Sequence, residues 1–334
     1  MKPDYELSSA EHEELHAVLS GIEEHPYRDY SAFSKAVAEI VESGRVPAFF
    51  VDVCARIRAE RESESATIHL VRNCPIDESV PELDHDDPVA DRHLKKTTFV
   101  GEALLELSAR LLGNPLLAYA RNKGSFFTDV VAINRYSGML TGYSDSELFF
   151  HNDRTAHAVR ADYTSLLGLR CPDGELIYTG YIDGRALLRQ LSAEEQEVLR
   201  RPLFVTHFDV FSKAHNKDLS LSETHPILEN GASFRYLDTM TTVAPDAPPE
   251  AKDALIAMKN AVVRAERVRH RMRTRDLLLF ANQDGLHSRE KIEITDPDSA
   301  RSRWLLKTYA FRDEETADRH ADKWIDGVRG LVAD

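Results

Sequence analysis

Apolar residues recur at helical spacing through the first third of the chain and at strand spacing beyond Phe126. Ser8-Ser9-Ala10-Glu11 reads as a helix N-cap opening a pattern through Leu15, Val18, Leu19 and Ile22 that ends near Pro26. A second helix is predicted from Ser31 to Glu42, with Phe33, Val37, Ile40 and Val41 inward, and a third from Phe49 to Glu60. Thr67–Val71 follows as a short strand, then an acidic, proline-containing loop from Pro75 to Asp91. Phe99 to Leu112 closes this part as a helix whose apolar positions are Leu104, Leu105, Leu107, Leu111 and Leu112.

From Phe126 the pattern becomes short strands divided by turns: Asp129–Ile133, Glu147–Phe150, Tyr163–Leu169, Glu175–Thr179, Asp276–Phe280 and Trp304–Phe311. Asp-Gly turns at Asp173-Gly174, Asp183-Gly184 and Asp284-Gly285 suggest a β-sandwich or jelly roll. Helices intrude at Ser192–Leu199 and Pro249–Arg267. The basic tail from Arg264 to Arg275 reads as a solvated helix end rather than a nucleic-acid patch. The polar stretch Phe211–Gly231 reads as a long loop, of the kind that often forms a lid. The fold class is thus α+β, a single domain over residues 1–334. It divides into a helical part to about residue 120, a β core over about 126–311 and a lid over about 207–233.

Composition narrows the class without naming a chemistry. With 334 residues and 42% hydrophobic, the chain can bury a large core. No run approaches the roughly 18 apolar residues of a membrane span, and the first residues lack a secretory pattern. A net charge of −14 argues against nucleic acid as a partner. Cys54, Cys74 and Cys171 are odd in number and form no Cys-x-x-Cys, so neither a thiolate metal site nor a disulfide framework is expected. Cys74 and Cys171 read as buried, inert thiols. A cytoplasmic location is expected, with homo-oligomerisation left open.

The candidate chemistry lies in Phe149-Phe150-His151-Asn152-Asp153, with His287 and the pair Arg303-Trp304 far downstream. Two imidazoles and one carboxylate on one face make the facial triad of non-haem Fe(II) oxygenases. His151 and Asp153, two apart, project to one side of an extended strand end. His287 comes from a distant element, at a turn after Asp284-Gly285. The plain alternative is that His151 caps a strand and His287 lies in a surface loop.

The span from about Phe126 to Phe311 resembles the clavaminate synthase-like branch of the Fe(II)/2-oxoglutarate-dependent oxygenases. The resemblance rests on His151-Asn152-Asp153, His287, Arg303-Trp304-Leu305-Leu306-Lys307 and Thr179. It implies a distorted double-stranded β-helix (jelly roll) with flanking helices, and Fe(II) held by His151, Asp153 and His287. It also implies 2-oxoglutarate as co-substrate with O2, its distal carboxylate paired with Arg303 and its binding helped by Thr179. Arg301 is the alternative to Arg303, since its distance from His287 is nearer the family's usual one. The implied reaction is hydroxylation of an unactivated C–H bond, because Asp153 fills the position that halogenating relatives open with a small residue.

Members of this branch commonly act on free amino acids. Lys307 matches the place of a basic residue that holds the substrate carboxylate, and Asp238 a region whose acids receive a cationic side chain. One carboxylate suits an ammonium better than a guanidinium, so L-lysine is the expected substrate, with arginine, ornithine or a carrier-tethered intermediate as alternatives. His157 and His207 are candidate supports for the site. A metal-free jelly-roll binding module is the alternative outside catalysis.

Overall fold

A computed structural model describes residues 1–215 and 220–333. The helical part runs β1 (Tyr5–Glu6), α1 (Ser9–Leu19), α2 (Tyr30–Glu42), α3 (Ala48–Glu62), β2 (Ile68–Arg72), α4 (Pro88–Lys95) and α5 (Val100–Leu112). The middle holds β3 (Leu116–Tyr119), β4 (Thr128–Val130), β5 (Leu148–His151), β6 (Tyr163–Arg170), β7 (Leu176–Asp183), α6 (Gly184–Leu188), α7 (Ala193–Leu199), β8 (Phe204–Thr206), α8 (Val210–His215), β9 (Thr241–Val243) and α9 (Pro249–Arg264). The last part adds β10 (Val268–His270), β11 (Leu277–Ala281), β12 (Gly285–Glu293), α10 (Pro297–Arg301), β13 (Trp304–Ala310), α11 (Glu314–Asp318) and β14 (Leu331–Val332).

Eight strands form a large sheet in the order β1-β2-β11-β6-β13-β3-β14, with β4 also on β13. Four form a smaller sheet, β10-β7-β12-β5. Side chains alternate across a strand, and each sheet uses both faces. On the large sheet Leu167, Leu277, Leu279, Trp304 and Leu306 pack with Leu15, Phe33, Phe50 and Leu104 of the N-terminal helices. The opposite face offers Leu166, Leu278, Phe280 and Leu305, which share a buried cluster with Tyr181 of the small sheet. Burial on both faces explains why Leu277-Leu278-Leu279-Phe280 reads as a continuous apolar run. The small sheet turns Phe150, Ile182 and Leu286 toward α6, α7 and α9. The alternate residues His151, Tyr181 and His287 therefore face the large sheet.

Local signals act as anticipated at several ends. Ser8 and Glu11 close a capping box on α1, and Ser192 and Glu195 do so on α7. Four expectations need correction. The loop ends at Asp87, which caps α4 with Pro88 in its first turn. His287 lies within strand β12, not at a turn, because Gly285–Glu293 pairs along β7. The basic tail is not a helix end: Ala265 is already extended, and Val268–His270 pairs with β7. The stretch 211–231 is not all loop, since α8 reaches His215 and His207 bridges Leu221. Residues 216–219 of that stretch lie outside those described. Among the described residues no helix is long and apolar enough to cross a membrane. Cys54, Cys74 and Cys171 are free and buried, and burial pushes the Cys54 and Cys171 thiols up to about 12.

Candidate active site

His151 ends β5 and stands directly opposite His287 of β12 in the antiparallel register. Paired positions share a face, so the rings come together with centroids 4.2 Å apart. Asp153 lies two residues past His151, with Oδ2 3.4 Å from His287 Nε2 and Oδ1 4.0 Å from His151 Nε2. One ligand atom from each of the three residues lies within 4.8 Å of the others. His151 Nδ1 sits 2.7 Å from the Phe149 carbonyl. That contact suits a protonated Nδ1 and leaves the Nε2 lone pair for a metal.

Two asparagines fix this arrangement. Asn152 donates Nδ2 to the carbonyls of Asn282 (2.5 Å) and Gly285 (2.8 Å), and its Oδ1 accepts from Tyr236 N–H (2.8 Å). Asn282 Oδ1 accepts from Asp153 N–H (2.7 Å), while its Nδ2 donates to Ala161 O (2.9 Å) and Asp153 O (3.2 Å). The His-x-Asp segment is thereby tied to the β11–β12 turn that leads to His287. Neither asparagine figured in the sequence reading, although Asn152 is the middle residue of the motif itself.

The electrostatics favour an ionised Asp153. Burial alone would raise its carboxyl, but Lys307, and then the two histidines, hold it well below the usual range. Lys307 Nζ lies 3.1 and 3.2 Å from the two Asp153 oxygens, and that carboxylate raises the ammonium against its own burial. His151 is pushed down to about 3 by burial and then by His287. It is neutral at ordinary pH, as a ligand must be. Two imidazoles and one ionised carboxylate, all converging, suit a divalent first-row metal.

A cavity of about 170 Å³ opens on the three residues. Its wall takes Leu305, Lys307 and Tyr309 from β13 and Arg303 from just before it, a period of two that puts them on one face. Thr179 and Thr164 also line it. Arg303 lies at the boundary with a second cavity, and among the described residues no ion pair holds its side chain. Burial draws its guanidinium below the usual range, with the Cys171 thiol opposing. Arg301, by contrast, is paired with Asp145 at 2.9 Å and contacts Asn134. Beside Arg303, Trp304 donates Nε1 to Asp129 at 2.9 Å, and Arg92 clamps the same carboxylate at 2.6 Å. The tryptophan of the Arg-Trp pair thus anchors the strand start.

Arg289, unflagged by the sequence, lies two residues beyond His287 and donates to the carbonyls of Ser144 and Ser146, both at 2.7 Å. Burial, then Arg303, pushes it down to about 9. The alternation His287-Ser288-Arg289 was the signal available. Asp238 is not brought to the cavity wall: it accepts from Tyr236 Oη at 2.5 Å and pairs with Lys259 at 3.3 Å. The exposed-side acid on the wall is instead Asp209, beside His207 and Phe208. His157 also lines the wall and is buried, whereas His207 is exposed.

Residues 101–309 match the taurine catabolism dioxygenase TauD, TfdA family. An L-lysine 3-hydroxylase from Catenulispora acidiphila is 26% identical over 230 residues, 66% of this chain and 61% of that protein. An enduracididine beta-hydroxylase from Streptomyces hygroscopicus is 29% identical over 117 residues, 34% of this chain and 33% of that protein. The matches thus span from a third to about three fifths of these relatives. Among solved structures, asparagine oxygenase with Fe(II), 2S,3S-3-hydroxyasparagine and succinate superimposes with TM-score 0.82 at 20% identity, covering 100% of both chains. The non-heme iron oxygenase OrfP with Fe and alpha-ketoglutaric acid gives 0.78 at 21%, covering 98% of this chain and 99% of that one.

Proposed function

The chain belongs to the taurine catabolism dioxygenase TauD, TfdA family, and from that premise we propose that it hydroxylates a free L-amino acid, using Fe(II), 2-oxoglutarate and O2. The observation that carries this reading is the convergence of His151, Asp153 and His287 within 4.8 Å at the base of a cavity. These three would hold the iron, which, once bound, supplies the oxidising chemistry that inserts oxygen into a C–H bond. Lys307 keeps Asp153 ionised and oriented rather than serving the substrate. Arg303 pairs with the distal carboxylate of 2-oxoglutarate, because a guanidinium on the cavity wall that no carboxylate among the described residues pairs with calls for an anion. Thr179 lies on the same wall and supports that co-substrate. The two sheets form a distorted jelly roll within one domain, with the helices outside it. His207, Phe208 and Asp209, at the start of the expected lid, line the cavity and would cover the substrate against water.

The substrate is a basic amino acid, L-lysine first. Two relatives carry names for hydroxylases of amino acids with cationic side chains. With Asp238 engaged by Lys259 at 3.3 Å, Asp209, on the cavity wall and more loosely paired with Arg121 at 3.9 Å, is the acid that would meet such a side chain. The test is anaerobic addition of Fe(II) and 2-oxoglutarate. A weak visible charge-transfer band should form in the native protein, with a Kd for 2-oxoglutarate that rises roughly tenfold to a hundredfold in Arg303→Met. No band in the native protein would remove the oxygenase reading.

A further inference from the structure

Arg303 stands just outside the strand that follows it. α10 ends at Arg301 and β13 begins at Trp304, so Ser302 and Arg303 lie between two elements rather than in a ladder. The ladder is also irregular where it starts: the register against β6 shifts between Trp304, opposite Arg170, and Leu305, opposite Gly168. The side chain of Trp304 supplies a constraint at this point. It is 1% exposed, shares a buried cluster with Leu104, Phe127 and Leu306, and donates Nε1 to Asp129 at 2.9 Å. Asp129, in the middle of β4, stands opposite Leu306. Paired positions share a face and neighbours alternate, so this carboxylate lies on the helix side of the sheet while Arg303 and Leu305 turn to the cavity.

Asp129 is itself held. Arg92 of α4, 2% exposed, donates to its other oxygen at 2.6 Å. The Arg92 guanidinium lies over the Tyr27 ring at 3.6 Å, and Tyr27 Oη donates to Glu102 at 2.6 Å. Burial raises the Asp129 carboxyl, and Arg92, then Trp304, oppose that shift. A charged pair buried in an apolar helix–sheet interface adds little net stability over an apolar pair, because both groups lose their water. What it adds is direction, since a carboxylate fixed by a cation holds the indole N–H at one place and angle. We propose that Asp129, held by Arg92, is a positioning residue that sets the reach of Arg303 through Trp304, and so selects a keto acid with a second carboxylate at the far end. This inference rests on the reading of Arg303 as the partner of the distal carboxylate of 2-oxoglutarate. It gives α4, which lies outside the β core, a part in the choice of co-substrate.

The test is the affinity of the anaerobic, Fe(II)-loaded protein, measured by calorimetry, for 2-oxoglutarate and for 2-oxovalerate, which carries a methyl group in place of the distal carboxylate. The native protein should prefer 2-oxoglutarate by about tenfold or more, as a charge-assisted pair requires. In Trp304→Phe and Asp129→Asn that preference should fall to about threefold or less. Binding of 2-oxovalerate and of Fe(II) should stay within about twofold of native, a split that general loss of structure would not give. Arg92→Lys, which keeps a cation for Asp129, should retain more of the preference than Arg92→Met. If Asp129→Asn does not fold, because Arg92 is left buried without its anion, the double variant Arg92→Met/Asp129→Leu removes both charges and carries the comparison. The native preference in that double variant or in Trp304→Phe overturns the proposal. It fails alone if Arg303→Met loses the preference while those variants keep it. If Arg303→Met itself keeps the native preference, the reading of Arg303 and this inference fall together.

Discussion

Asp153 gathers three demands on one side chain: two histidines within 4.0 Å, Lys307 across both oxygens, and a backbone N–H given to Asn282. Removing Asn282 disturbs the third without touching a ligand. Asn282→Ala should weaken Fe(II) binding by about 10- to 100-fold, as lost support of metal ligands typically does. Titration with Fe(II) under argon checks this, and native affinity in the variant would show that the clamp is dispensable. The two candidate arginines separate at the same scale. Arg301→Met breaks a surface pair with Asp145 and should leave 2-oxoglutarate affinity within about twofold, since such pairs contribute little. The sequence favoured Arg303 from its place before Trp304 and kept Arg301 as the alternative; what it could not show is that Asp145 already engages Arg301.

The strands bring distant residues together only if β12 keeps its register, and Gly285 is where that register is set. A Cβ there would fall 2.3 Å from Tyr181 Oη and 2.7 Å from the Ile182 carbonyl. Gly285→Ala should therefore displace the start of β12, weaken iron binding and destabilise the fold by about 1–3 kcal/mol, read from urea unfolding. A second joint lies between α4 and α5. Lys96 Nζ, fully buried, binds Asp77 at 2.8 Å and Glu102 at 2.7 Å. Lys96→Met leaves two buried carboxylates without their cation and should cost about 3–5 kcal/mol. The helices were legible in the sequence because single apolar stripes, such as Phe33, Val37 and Ile40, carry their period. The strand β12 was not legible: Gly285–Glu293 mixes His287, Arg289 and Lys291 among few apolar residues, since its inner face lines the cavity. Polar residues facing a site break the alternation by which strands are recognised. The pairing of Asp238 was illegible for a different reason, as its partner Lys259 lies on α9, which sequence proximity does not bring to it.

Across the whole molecule, buried histidines tie stability to pH. Burial pushes His157 and His225 down to about 3 from an ordinary 6.5. The unfolded chain therefore takes up protons below pH 6.5 that the native state refuses, and stability falls as pH drops below that value. Between pH 7 and pH 5 these two histidines should cost on the order of 4 kcal/mol, seen as a lower urea midpoint. His225→Gln should reduce that slope by roughly one proton. The same molecule-wide organisation, two sheets facing each other with helices on the outer faces, frames the cavity where iron, co-substrate and amino acid would meet. The most direct test of that account is succinate formation from Fe(II), 2-oxoglutarate and O2 across the twenty amino acids. One basic amino acid, L-lysine first, should stimulate succinate release with an equal yield of hydroxylated product, and Asp153→Ala should abolish both. No stimulation by any amino acid, or undiminished turnover in Asp153→Ala, would contradict it.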